Sequence, residues 1–144
     1  MTVAAILREK GHDVAAVAPD TPVADIARLL ADRRIGAVLV RETGGRLAGI
    51  VSERDIVRCL ARDGAAVLAQ SAASLMTTVL HTARPETTVE QAMSMMTDHR
   101  VRHLPVLEGG ALVGLISIGD VVKRRIADQT QEVDSLKAYV AGSV

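Results

Sequence analysis

Two acid-bearing segments of the chain could do chemistry. Gly49-Ile-Val-Ser52-Glu-Arg-Asp55 and Gly114-Leu-Ile-Ser117-Ile-Gly-Asp120 share one pattern: glycine, two apolar residues, serine, two variable residues, aspartate. Each follows an apolar run and opens a helical one. In that setting the serine caps the helix, and the carboxylate three residues on reaches back to the cap amide. Ser/Thr-x-x-Asp/Glu is common enough to favour this structural reading for either segment alone. The functional reading uses the same geometry. A carboxylate at a helix mouth can accept from the paired hydroxyls of a ribose, as acidic residues do in nucleotide folds. The glycine would let a ligand approach the backbone closely. A carboxylate repels phosphate, so phosphates need cationic or amide donors elsewhere. Arg102 and His103 in Val101-Arg-His-Leu-Pro-Val106, together with Arg54, are the candidates. Their bland readings stand beside this one. Strand alternation sends Arg102 and His103 to opposite faces, and Arg54 fits an exposed cation near a helix N-terminus.

The elements that must position these residues come in duplicate. Pro19–Val40 aligns with Pro85–Val106 at an offset of 66, with Pro19/Pro85, Thr21/Thr87, Val23/Val89, Asp32/Asp98, Arg34/Arg100 and Val40/Val106 identical. After one deletion in a Gly-rich turn the offset is 65, and Gly45/Gly110, Leu47/Leu112, Gly49/Gly114, Ser52/Ser117, Asp55/Asp120 and Val57/Val122 match. Internal repeats of this kind dictate architecture. Each copy reads as β-α-β-β-α. A short strand (15–18; 79–82) precedes a helix whose N-caps are expected at Thr21 and Thr87. The helices carry Val23, Ile26, Leu29 and Leu30 or Val89, Ala92, Met93 and Met96 on one face. Strands at 35–40 and 101–107, glycine turns, and strands at 47–51 and 112–116 lead into the second helices. The fold expected is α/β (α+β): two pseudo-symmetric repeats packed sheet to sheet, with a terminal helix. Repeat one spans 2–63, a partly helical linker 64–74, repeat two 75–126, and a C-terminal helix or tail 127–144. From the end of repeat two into that tail, Ile126, Val133, Leu136 and Val140 keep near-helical spacing, read as a packed helix at a dimer contact.

Composition narrows the function. The chain has 144 residues, 17 Lys+Arg and 17 Asp+Glu, so its formal net charge is zero. Nothing global draws it to nucleic acid or anionic lipid. With one Tyr (Tyr139) and no Phe or Trp it has almost no platform for stacking bases. One cysteine, Cys59, excludes an internal disulfide and a multi-Cys zinc site. No apolar run approaches a membrane span, and the N-terminus lacks a signal peptide's apolar core. A cytoplasmic location is therefore expected. Enzyme constellations fail one by one. Gly44-x4-Gly49 lacks the Lys-Ser/Thr of a phosphate loop, and no Gly-x-Ser-x-Gly elbow occurs. His99 and His103 match an i, i+4 metal pair, but they sit where helix turns to strand, and no metal site is expected.

Taken together, the paired Gly-x-x-Ser-x-x-Asp segments, their offset of 65, and Arg-His-Leu-Pro-Val resemble a tandem pair of cystathionine-β-synthase (CBS) domains, the Bateman module, over roughly residues 2–126. The resemblance implies two clefts between the repeats that bind AMP, ADP, ATP, NAD(H) or S-adenosylmethionine as regulatory ligands, with no catalytic cofactor. It implies that Asp55, Asp120, Ser52 and Ser117 hold ribose. It places Val17, Ile35, Ala37, Val79, Leu80, Val101 and Pro105 around adenine, and Arg102, His103 and Arg54 at phosphates. It further implies a non-enzymatic sensor that dimerises and modulates an effector protein. Copy one has Gly36-Ala37 where copy two has Arg102-His103, so unequal occupancy of the clefts is expected. Two rival readings are a ligand-free interaction scaffold and a nucleotide hydrolase.

Overall fold

The structure is a computed structural model that describes residues 1–142; the last two residues of the expected tail, 143 and 144, lie outside the described residues. The elements in chain order are α1 (Val3–Lys10), β1 (Ala16–Val17), α2 (Val23–Arg33), β2 (Ala37–Arg41), β3 (Leu47–Ser52), α3 (Glu53–Asp63), a 3-10 helix (Gly64–Ala69), α4 (Ala72–Leu75), α5 (Val89–His99), β4 (His103–Glu108), β5 (Ala111–Ser117) and α6 (Ile118–Gly142). The class is mixed α+β, as the alternating patterns require. Two compact units result. One is Asp13–Leu80, the repeat-one unit. The other joins Met1–His12 to the chain from His81 onward, the repeat-two unit.

Each unit buries the apolar face of its first helix on its sheet. In the repeat-one unit Val23, Ile26 and Leu30 of α2 meet Val38, Val40 and Val51. In the repeat-two unit Val89, Ala92 and Met96 of α5 meet Leu104, Val106 and Ile116. The ladders repeat as well. β2 pairs antiparallel with β3, Ala37 opposite Ser52. β4 pairs antiparallel with β5, His103 opposite Ser117. Both hairpins carry a register shift at the same place, between Val40 and Arg41 and between Val106 and Leu107.

The first strand survives in only one copy. β1 lies parallel to β2, and the Leu39 amide donates to the Ala15 carbonyl at 3.0 Å. At the offset of 66, Leu39 corresponds to Pro105, which has no N–H to give. The strand expected at 79–82 therefore does not form; a single bridge, Ala83 to Val106, remains. The expected caps also move. Thr88, not Thr87, caps α5, in a reciprocal box with Gln91. Pro22 stands at the corresponding place in copy one and offers no hydroxyl, so α2 has no side-chain cap. Thr87 instead accepts from the Arg84 amide.

A further repeat had escaped the sequence reading. α1 completes the repeat-two unit as the segment around α4 completes the repeat-one unit. The Val3 amide donates to Thr87 O and the Ala4 amide to Pro85 O; the Ala72 amide donates to Thr21 O and the Ala73 amide to Pro19 O. Thr2-Val-Ala-Ala-Ile-Leu7 and Ser71-Ala-Ala-Ser-Leu-Met76 are the two copies of this segment. Each precedes one repeat in sequence and folds into the unit of the other.

The terminal helix differs from expectation. It is continuous with the second helix of copy two, 25 residues in all. Val121 is buried, but Ile126, Val133, Leu136 and Tyr139 are exposed. Nothing within the described chain covers that stripe. Among the described residues no helix is long and apolar enough to cross a membrane.

Docking of α1 generates the first prediction. Leu7 is 1% exposed in the core, so Leu7→Ala should lower unfolding free energy by about 2–4 kcal/mol, measured by urea denaturation. The exposed neighbour Arg8→Ala should stay within about 0.5 kcal/mol of wild type. Equal stability for both variants would mean that α1 is not part of the fold.

Candidate functional site

The two serine–aspartate segments form the same local structure. β3 ends at Ser52 and α3 begins at once. The Ser52 amide donates to Asp55 Oδ2 at 2.9 Å, and the Asp55 amide donates to Ser52 Oγ at 3.2 Å. β5 ends at Ser117, where its amide donates to Asp120 Oδ2 at 2.8 Å and the Asp120 amide donates to Ser117 Oγ at 3.1 Å. These are capping boxes, so the structural reading of the motif holds in both copies. It does not use up the carboxylates. Only Oδ2 of each is engaged in its box. Among the described residues, Oδ1 of Asp55 has Arg58 at 4.0 Å, and no hydrogen bond is made to Oδ1 of Asp120. Both side chains are partly accessible, 17% and 24%. Each helix mouth therefore holds one carboxylate oxygen in its cap and leaves the other outside it.

The sheet delivers the neighbouring residues by register. The Glu53 amide donates to Gly36 O at 2.9 Å, and the Ile118 amide donates to Arg102 O at 2.8 Å. The same bond thus ties the strand before each helix to that helix's first turn. It places Gly36-Ala37 beside Ser52 in one unit and Arg102-His103 beside Ser117 in the other. Arg102 is exposed and His103 half-buried. Arg54 is exposed in the first turn of α3.

Lys10 is the site residue that the sequence reading missed. Its ammonium donates to Asp120 Oδ2 at 2.6 Å and to the Leu115 carbonyl at 2.8 Å. Burial pushes the Asp120 carboxyl up. The hydrogen bonds from Lys10 and the Ser117 amide, with the attraction of the Lys10 charge, outweigh it and hold the group below its ordinary range. Asp120 also borders a cavity of about 200 Å³ lined in part by Lys10, Lys123 and Arg124. The similarity of Thr2–Leu7 to Ser71–Met76 was the signal that could have drawn attention to this arm.

The glycines of the motif serve the fold. A Cβ on Gly49 would lie 2.8 Å from both Thr77 O and Met76 Sδ, and one on Gly114 would lie 2.6 Å from Leu7 Cδ2. The space above each is filled by the completing segment of its own unit, so close ligand approach is not what these glycines provide.

The residues of the expected adenine set lie in different surroundings. Val17 and Ile35 pack against the repeat-one core, and Val101 against the repeat-two core. Ala37 and Pro105 are buried in their sheets, Leu80 is half-buried, and Val79 is 75% exposed. Val79 and Leu80 fall in the repeat-one unit, whereas Val101 falls in the other. Ile35 and Gly36 line a groove of about 490 Å³ between α2 and α3. His99 stacks on His81 with ring centroids 3.7 Å apart.

Comparison with known proteins is consistent across sequence and structure. The model of the CBS domain matches residues 3–62 and 72–127. A CBS domain-containing protein of Arabidopsis thaliana, CBSX3, mitochondrial, is 33% identical over 98% of this chain and 72% of its own length. The crystal structure of the CBS-domain protein ATU1752 from Agrobacterium tumefaciens superposes with a TM-score of 0.85, at 44% identity, covering 87% of this chain and 99% of that one. CBSX2 in complex with AMP superposes with a TM-score of 0.73, at 25% identity, covering 89% of this chain and 98% of that one.

Two predictions follow from the geometry. The Asp120 carboxyl titrates lower in the folded chain than its unfolded value of about 3.9. Its stabilisation is complete above that pH and is lost as pH falls through the lower folded value. Lys10→Met should raise the Asp120 titration seen by carboxyl carbon NMR and move acid unfolding to higher pH; an unchanged titration would remove Lys10 from the site. Gly49→Ala should cost about 1–3 kcal/mol, because a backbone carbonyl blocks the new methyl. Gly114→Ala should cost a similar amount, since the Leu7 side chain in its way is itself packed in the core. Denaturant titration of both variants measures the two costs.

Proposed function

The chain belongs to the CBS-domain family, with two such domains in tandem, and from that premise we propose that it is a non-enzymatic module that binds an adenine nucleotide and regulates a partner protein. The observation that supports this best is that the cap at each helix mouth leaves Oδ1 unused, faced by Arg58 at 4.0 Å in the case of Asp55. Oδ2 is fixed by the cap, so Oδ1 can accept from ribose hydroxyls without rearrangement of the helix. Both aspartates are acceptors held on backbone amides, a positioning arrangement suited to binding.

The two mouths take different ligands in this reading. At Asp120, Arg102 and His103 supply cationic and imidazole donors, and Lys10 has a third N–H beyond the two used by Asp120 and Leu115. Phosphate of AMP, ADP, ATP or NAD(H) is neutralised there. At Asp55, Gly36 and Ala37 supply no charge and Glu53 repels phosphate; Arg54 in the first turn and Arg58, which already faces Asp55 Oδ1 at 4.0 Å, are its nearby cations. Phosphorylated ligand therefore favours the repeat-two mouth. The AMP complex of the 25% identical CBSX2 supports the ligand class. The module acts as a homodimer in this reading. A ligand-free scaffold is the rival, favoured by the exposed apolar stripe of α6.

Calorimetry of the full chain with AMP, ADP, ATP and NADH tests the proposal. At least one should bind, and Asp120→Asn should weaken it about tenfold or more, since a charge-assisted hydrogen bond contributes about 1.5–3 kcal/mol. Arg102→Ala should weaken AMP more than adenosine. No heat from any of the four at millimolar concentration would contradict nucleotide sensing and leave the scaffold.

A further inference from the structure

We propose that the free part of α6 forms a parallel, in-register coiled coil with a second copy of this chain. The proposal deepens the homodimer reading above by naming the surface and orientation, and it is independent of nucleotide. α6 has two faces. On one, Val121 is buried, Arg124 bridges Glu9 and Asp128, and Arg125 reaches Glu90. That face is spent within the unit. On the other, Val122, Ile126, Gln129, Val133, Leu136 and Val140 recur at alternating steps of four and three. This is a heptad seam with Ile126, Val133 and Val140 at a and Val122, Gln129 and Leu136 at d. Ile126, Val133 and Leu136 are 58%, 51% and 64% exposed. From Val122 to Val140 the seam runs about 27 Å at about 1.5 Å per residue.

The seam specifies its occupant. Among parallel coils, β-branched residues at a with leucine at d, as Leu136 is here, favour two strands. The flanking charges agree. Glu132 is at g and Lys137 at the following e, five residues on. A parallel pair sets Glu132 beside Lys137 of the partner subunit, twice by symmetry. An antiparallel pair that keeps the a and d layers aligned would set Glu132 against Glu132 of the partner subunit, and Lys123 against Lys137 of the partner subunit. The charge pattern therefore selects the parallel form, and a like chain is the partner with the complementary seam.

The test uses the full chain. Light scattering across a concentration series should show a dimer, and Val133→Glu with Leu136→Glu should weaken it at least tenfold while circular dichroism stays that of a folded protein. With Cys59→Ala as background, Ile126→Cys and Leu136→Cys should each form a self-paired disulfide under mild oxidation. A dimer that tolerates both glutamates would overturn the seam while leaving the homodimer standing. Disulfide formation only in a mixture of Ile126→Cys and Leu136→Cys chains would show an antiparallel pair and overturn the parallel form. A wild-type monomer would overturn both the seam and the homodimer, without touching nucleotide binding.

Discussion

The hydrogen bond from a serine amide to the aspartate three residues on is the constraint on which the rest depends. It is made at Ser52 and Asp55, and again at Ser117 and Asp120. It satisfies an amide that the helix start would otherwise leave unpaired. It also fixes one carboxylate oxygen and so orients the other. A freely rotating aspartate would lose rotamer freedom when a sugar bound. Here that loss is taken during folding, and the stabilisation of the cap offsets it. Structure and candidate function therefore use one side chain without competing for the same atom.

The duplication keeps this constraint and varies what surrounds it. One bond, from the first helical amide to the strand beside it, sets position 36 or 102 at the helix mouth. The same scaffold then presents Gly36-Ala37 in one unit and Arg102-His103 in the other. Lys10 adds a cation to the second mouth alone. The result is an asymmetry of charge on a symmetric backbone. Pro105 adds a backbone difference, because its missing N–H removes the first strand of copy two.

Much of this was legible in the sequence. The offset of 66 and then 65 located both hairpins, both second helices and both serine–aspartate caps, because strand alternation, helical periodicity and capping are local. The misreadings have local or distant causes. Thr87 and Thr88 fit a cap equally well by type, and only Gln91, three residues after Thr88, separates them. The strand at 79–82 was read from its apolar run, while the residue that forbids it, Pro105, lies more than twenty positions away. Gly49 and Gly114 looked like openings for a ligand; only the fold shows Thr77 and Leu7 above them. Lys10 lies 110 residues from Asp120, and no local pattern links them. For the expected adenine set no local pattern exists, since apolar strand residues read alike whether they line a ligand or a core.

The central claim is that a capped aspartate at the head of α6 holds the sugar of an adenine nucleotide. The most direct measurement is a titration of isotope-labelled full chain with AMP, followed through the backbone amides of Ser117 and Asp120. The account predicts saturable shifts of both, with Lys10 and His103 moving in step and the Gly109–Gly110 turn silent. Ser117 and Asp120 unmoved at millimolar AMP, or moved no more than that distant turn, would contradict it.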